Sequence, residues 1–326
     1  MKKFTKILII AVCLLAGVLA LSACTDNGGG GGEAAKLSGK VVIRGSTSVE
    51  PLMDALIDAY TKAGGAKVAD IEFDKDCQGS GAGITAAQED TSGTVIGMSS
   101  SALKDGDLVK NGNTVLSNYF NLALDAIAVI ADKNNKTADL TIPQIYDIYT
   151  TVTTFNNVLS EANAGDMYNK NILCVSREAG SGTRDAFDGL IKNAGGDSLA
   201  KLANGTVRKQ EETFLSDKPE FLNSTNDVIS KVSSIGNSIG YASYGSVASN
   251  ATIKILKVGG VEPTETTVLN GTYKLQRPFV IFTGNVKLTA AVLDFIRYVN
   301  STEAQAVVKT QKYVQQMTGK TAYESR

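Results

Sequence analysis

Ile172-Leu-Cys-Val-Ser-Arg-Glu-Ala-Gly-Ser-Gly-Thr-Arg-Asp-Ala-Phe-Asp-Gly-Leu-Ile191 reads as one strand, one loop and one helix in succession. The apolar run Ile172–Val175 has the length and β-branched content of a buried strand. From Arg177 to Arg184 the chain is small, hydroxylated and glycine-rich, and a helical pattern then runs from about Gly182 to Asn193. A strand that turns through such a loop into a helix is the repeating unit of α/β proteins.

The same unit occurs twice more toward the N-terminus. Val41–Arg44 leads through Gly45-Ser46-Thr47-Ser48 into a pattern with Leu52, Leu56 and Tyr60 at i, i+4 spacing. Ile71–Phe73 leads to Gly79-Ser80-Gly81-Ala82-Gly83 and a helix through Ala87. Beyond these, Leu122–Ile130 is a long apolar run expected to be a central strand. Thr141-Ile-Pro-Gln144 is a capping box with proline in the first turn, opening a helix through Tyr149. Ser224–Ser233 reads as a helix, Ile239–Ala242 and Phe279–Thr283 as strands, and Val286–Val299 and Thr302–Val314 as closing helices. The alternation predicts an α/β fold with largely parallel sheets.

The three loops share a chemistry. The first N–H groups of a helix lack internal partners, and the helix dipole places partial positive charge there. Glycine lets backbone approach an anion closely, and Ser or Thr adds O–H donors, so such termini suit anions. Arg177 would add a full charge and a planar fork of donors. Each loop by itself reads first as a capped helix, because Ser and Thr are good N-caps, and it is the occurrence of three in one chain that points to a ligand. None has the Gly-x4-Gly-Lys spacing of a P-loop.

Composition narrows the chemistry. Of 326 residues none is His and none is Trp. That removes Ser-His-Asp and Cys-His catalysis and His-ligated metals. Carboxylate-only or Ser-Lys chemistry stays open, so a phosphatase or serine hydrolase is a rival reading, but most hydrolase designs are excluded and no enzyme activity is expected. No Cys spacing suggests a metal site, and no cofactor is expected. The net charge of −1 and the lack of a basic block argue against nucleic acid as a partner.

The first residues, Met-Lys-Lys-Phe-Thr-Lys6, precede an apolar run from Ile7 to Leu21 that ends in Leu21-Ser-Ala-Cys24. A basic start and a short apolar stretch form a secretory signal, expected over residues 1–23. The run falls short of the roughly 20 residues that span a bilayer. A branched residue, two small ones and a Cys form a lipoprotein maturation signal, so Cys24 is expected to carry lipid. A glycine-rich linker would occupy 24–36, since glycine runs lose too much entropy to fold. Cys77 and Cys174 remain; both lie in apolar-looking stretches and are expected as buried thiols rather than a disulfide.

With those loops in hand, the chain resembles the phosphate-binding proteins of phosphate-specific ABC transporters. The resemblance is carried by Gly45-Ser-Thr-Ser-Val-Glu-Pro51, Gln78-Gly-Ser-Gly-Ala-Gly-Ile84, Ile96-Gly-Met-Ser-Ser-Ser101, Asp125-Ala-Ile-Ala-Val-Ile130, Arg177–Arg184 and Phe295–Gln305. It implies a type II periplasmic-binding-protein fold, with two lobes joined by a two-strand hinge and the ligand in the cleft. One lobe would comprise 37–129 and 243–326, the other 130–242. The implied function is capture of inorganic phosphate by a monomeric, extracytoplasmic lipoprotein, held at the cell membrane by its lipid and delivering to the permease and ATPase of an importer. Thr47, Ser48, Ser80, Arg177, Ser181, Gly182 and Thr183 would hold the anion, with Arg184 as a structural or rim residue. Where the family often has Ser-Asp, this chain has Ser99-Ser100. An acceptor carboxylate favours an anion that keeps a proton. Ser100 therefore stands at a selectivity position, and Asp125 is expected either to supply the missing acceptor or to hold Arg177 or a helix end, with Glu178 as a weaker candidate for the acceptor. The alternatives are a binder of sulfate, molybdate or another oxyanion, and an adhesin or sensor built on the same fold.

Overall fold

In the computed structural model the described residues are 36–110, 113–150, 153–196, 199 and 219–315. The expected signal segment, the linker as far as residue 35 and the lipidation residue Cys24 lie outside them.

Strands β1 (Ser38–Gly45), β2 (Asp70–Asp76), β3 (Val95–Ser99), β4 (Leu116–Asp132), β5 (Leu173–Arg177), β6 (Glu220–Leu222), β7 (Ser238–Ser243), β8 (Ile253–Ile255), β9 (Gln276–Gly284) and β10 (Val314–Gln315) form one sheet. Its order is β2-β1-β3-β9-β4-β7-β5-β6, with β8 and β10 also pairing β4. The pairs β1–β2, β1–β3, β7–β5 and β5–β6 are parallel, whereas β4 and β9 run antiparallel to their neighbours. The 17-residue β4 is shared: its first part pairs β9 through Ala126, and its last part pairs β7 from Ile127.

The main helices are α1 (Glu50–Gly64), α2 (Ser80–Gln88), α3 (Ile142–Thr150), α4 (Gly182–Gly195), α5 (Thr225–Ser234), α6 (Ala290–Val299) and α7 (Thr302–Thr310). Each of α1, α2 and α4 begins where its loop predicted. The capping box before α3 is formed, with the Thr141 N–H donating to Gln144 Oε1 at 2.8 Å and the Gln144 N–H to Thr141 Oγ1 at 3.4 Å. The expected helix from Val286 starts only at Ala290, because Thr289 caps it. The helix expected to reach Val314 stops at Thr310, and Lys312 takes φ 66°. That turn lets Val314 join the sheet beside Leu124.

Apolar burial divides the chain into two halves. One half packs Ile43, Leu52, Met98, Ala123, Phe279, Phe295 and Val308 around β1, β3 and β9. The other packs Ile127, Ile145, Tyr149, Phe187, Tyr241 and Leu275, backed by a cluster of Ala128, Val175, Val228 and Val247. Full burial of each Val, Ile, Leu, Met or Phe among them contributes roughly 1.5–3 kcal/mol. The change-over falls between Ala123 and Ala126 on β4 and between Leu275 and Phe279 on β9. The sequence placed it at 129/130 and 242/243. Residues 244–275 look neutral locally, but Val247, Ile253, Leu256, Val268 and Tyr273 bury their side chains with the second half. A third passage runs from Tyr313 to Val314.

Candidate functional site

The loops before α1, α2 and α4 meet at the ends of β1, β3 and β5, where the two halves face each other. Gly45 has φ 133°, and a β-carbon on it would lie 2.2 Å from the Met98 carbonyl oxygen. Only glycine lets β1 pass β3 that closely before turning into α1. The Gly79 N–H donates to the Gly45 carbonyl at 2.9 Å, tying the first two loops together. Across the halves, the Gly81 N–H donates to the Gly180 carbonyl at 3.0 Å.

Between these loops runs a chain of six hydroxyls. Thr47 Oγ1 lies 3.3 Å from Thr225 Oγ1, which lies 2.9 Å from Ser48 Oγ. Ser48 Oγ is 2.8 Å from Thr183 Oγ1, which is 3.3 Å from Ser100 Oγ, itself 3.5 Å from Ser80 Oγ. All six residues are buried. Thr47, Ser48, Ser80 and Ser100 come from the first half, Thr183 and Thr225 from the second. Each hydroxyl carries one proton and can rotate it. Such a row can turn its donors onto one tetrahedral oxyanion.

Arg177 supplies the charge. It is only 2% exposed, and its Nη1 donates to Thr225 Oγ1 at 3.2 Å. Its Nε and Nη2 each donate to Glu178, at 2.8 Å to Oε2 and Oε1. Glu178 thus orients the guanidinium and compensates its burial, and one edge remains directed at the hydroxyl row. The backbone under Arg177 is fixed by Tyr241, whose hydroxyl sits 2.7 Å from Ser176 Oγ and accepts from the Arg177 N–H at 3.4 Å. Burial pushes the Tyr241 phenol up to about 12, so it stays protonated there. Arg184 lies over the Phe221 ring at 4.5 Å and donates to the Arg177 carbonyl at 3.3 Å, which makes it a support of the loop.

Ser181 is the N-cap of α4, with Oγ accepting from the Arg184 N–H at 3.3 Å. Gly182 follows it at the first helical position. The structure therefore brings Thr47, Ser48, Ser80, Ser100, Arg177, Ser181, Gly182 and Thr183 to one place.

It does not bring Asp125 there. Asp125 Oδ2 accepts from Arg277 Nε and Nη2 at 3.2 and 3.0 Å, and Oδ1 accepts from Ser243 Oγ at 2.9 Å. The Gly245 N–H adds a further bond. Arg277 is paired with Asp125 in the β4–β9 register, a cross-strand relation that the sequence of either strand does not display. Sequence reasoning also missed Thr225, which opens α5 beside the N-cap Ser224. Ser224-Thr225 ahead of a helix was the available signal, but it lacks the glycines that marked the other loops.

Cys77 and Cys174 are free, the first partly buried and the second buried. Burial pushes the Cys77 thiol up to about 12. Among the described residues no group of three or more His, Cys, Asp or Glu is placed to hold a metal ion. Among them, too, no helix is long and apolar enough to cross a membrane.

Two halves sharing a strand, with helix N-termini from both converging on the join, is the architecture of a cleft-type binding protein. A family model for the PBP superfamily domain matches residues 31–303. The chain belongs to the PBP superfamily. Within it, the phosphate-binding protein PstS 2 of Streptococcus pneumoniae is 36% identical over 159 residues, 48% of this chain and 49% of that protein. By that match the chain spans about half the length of its relative. The phosphate-binding protein PstS of Staphylococcus epidermidis is 27% identical over 310 residues, 91% of this chain and 86% of its own length. A protein from Clostridium perfringens whose crystal structure holds bound phosphate is 34% identical. Its TM-score is 0.68, over 85% of this chain and all of that one.

Proposed function

We propose that this chain is an extracytoplasmic solute-binding protein that captures inorganic phosphate and delivers it to an ABC importer. The observation that carries the reading is the buried row of six hydroxyls with Arg177 Nη1, converging from the N-terminal ends of α1, α2, α4 and α5 and from the ends of β3 and β5. A tetrahedral oxyanion offers several acceptor oxygens, and donors without a net positive surface suit a small anion held by local geometry. Thr47, Ser48, Ser80, Ser100, Arg177, Ser181, Gly182 and Thr183 would hold it, joined by Thr225. The lobes would be 37–125 with 276–313, and 126–275, closing on the anion about β4 and β9. Cys24 would carry the lipid that holds a working monomer at the membrane. The relatives named for phosphate support the ligand.

A second reading, a binder of sulfate or another oxyanion, is favoured by one observation: among the described residues, the hydrogen-bond partners of the six hydroxyls include no carboxylate. Calorimetry of the purified protein with phosphate, sulfate and molybdate separates the two. Phosphate should bind at micromolar or tighter Kd, about 8 kcal/mol. Heat from sulfate alone would hand the site to the second reading. For the anchor, Cys24→Ser should abolish labelling by fatty acid and release the protein from the membrane fraction.

A further inference from the structure

Asp125 and Arg277 sit at two of the three points where the main chain passes from one apolar half to the other. Asp125 lies between Ala123, buried with the first half, and Ala126, buried with the second. Arg277 lies between Leu275 and Phe279, which divide the same way. The two side chains are 0% and 1% exposed and bonded to each other, and the same carboxylate takes Ser243 from the end of β7. The third passage is adjacent: Tyr313 packs on Phe279, with ring centroids 5.2 Å apart, and against Gly245, where a β-carbon would lie 2.2 Å from its ring.

We infer that the Asp125–Arg277 pair is a pin at the pivot, which positions the two halves for closure and so sets ligand affinity without touching the ligand. A buried ion pair is satisfied only over a narrow range of angle and distance, unlike apolar contact, which tolerates sliding. Any rotation of one half on the other must turn the chain at 123–126 and 275–279, where this pair cross-links the two strands. The pin narrows the range of lobe angles, and less ordering then remains to be done on binding. Its ligand consequence rests on the phosphate reading; its effect on the lobe angle does not.

The test uses the full chain, with Asp125→Asn and Arg277→Gln. Small-angle X-ray scattering of the ligand-free protein reads the lobe angle, and calorimetry with phosphate and with sulfate reads affinity. Each variant should broaden or enlarge the ligand-free molecule and weaken phosphate about tenfold, leaving the phosphate-to-sulfate ratio unchanged. Scattering or affinity equal to wild type in the folded variants overturns the pin, even with a lowered Tm, since a merely structural pair would lower only that. A changed ratio overturns it too and makes Asp125 an anion contact. If the wild type does not bind phosphate, the functional reading falls and scattering still decides the pin. Should the single variants not fold, Asp125→Leu with Arg277→Met removes both charges at once. Wild-type scattering or affinity in that double variant overturns the proposal.

Discussion

Gly182 and Ser80 come from opposite halves of the molecule, and a β-carbon on Gly182 would lie 2.3 Å from the Ser80 hydroxyl oxygen. It would also lie 2.9 Å from Ser80 Cβ and 3.0 Å from Ser100 Oγ. The missing side chain is therefore what lets the first turn of α4 reach the serines of the other half.

Gly182→Ala should separate stability from binding. Alanine is the better helix former by up to about 1 kcal/mol. The melting temperature should stay the same or rise. Phosphate affinity should fall at least tenfold, because the halves can no longer close fully. Calorimetry beside a thermal melt measures both, and unchanged affinity would show that the contact is not needed for closure.

Thr225→Val keeps the shape of the side chain and removes its hydroxyl. That hydroxyl contacts Thr47, Ser48 and Arg177 Nη1. A hydrogen bond to a charged group contributes about 1.5–3 kcal/mol. The expected loss in phosphate affinity is about 10- to 100-fold, with less than 1 kcal/mol lost in denaturant melts.

Ser100→Asp places an acceptor-only carboxylate beside Ser80 and Thr183. An oxyanion that carries a proton can donate to it, whereas fully deprotonated sulfate cannot. Competition calorimetry should show the preference for phosphate over sulfate rising relative to wild type. An equal or lower preference would remove position 100 from selectivity.

Asp125 gives a pH signature. Burial pushes its carboxyl up from 3.8 to about 6, against the pull of Arg277 and Ser243. With the folded value above the unfolded one, the folded state binds more protons between these limits. The stability contributed by this group is thus complete below about pH 4 and lost as pH rises through about 6. Denaturant melts from pH 4 to 7 should show the wild type losing stability relative to Asp125→Asn over that window. Parallel curves would contradict the raised value.

Much of the site was legible because its signals are local. Gly45-Ser-Thr-Ser48, Gly79–Gly83 and Arg177–Thr183 each carry strand end, turn and helix start within a few residues, and those features depend on backbone geometry and capping. The acceptor assigned to Asp125 was not legible. Its partner lies 152 residues away in sequence, and the pairing exists only because β9 lies beside β4. Thr225 escaped for the same reason, since it meets Ser48 across a separation of 177 residues.

By itself, the sequence determined the α/β alternation, three of the five segments at the site and the absence of histidine chemistry, all consequences of residue type and short-range spacing. The tertiary structure alone decided which half residues 244–275 join, that Thr225 completes the hydroxyl row, and that Asp125 holds Arg277 at the pivot. Each of these depends on which distant surfaces are buried together, and burial is a property of the folded chain as a whole.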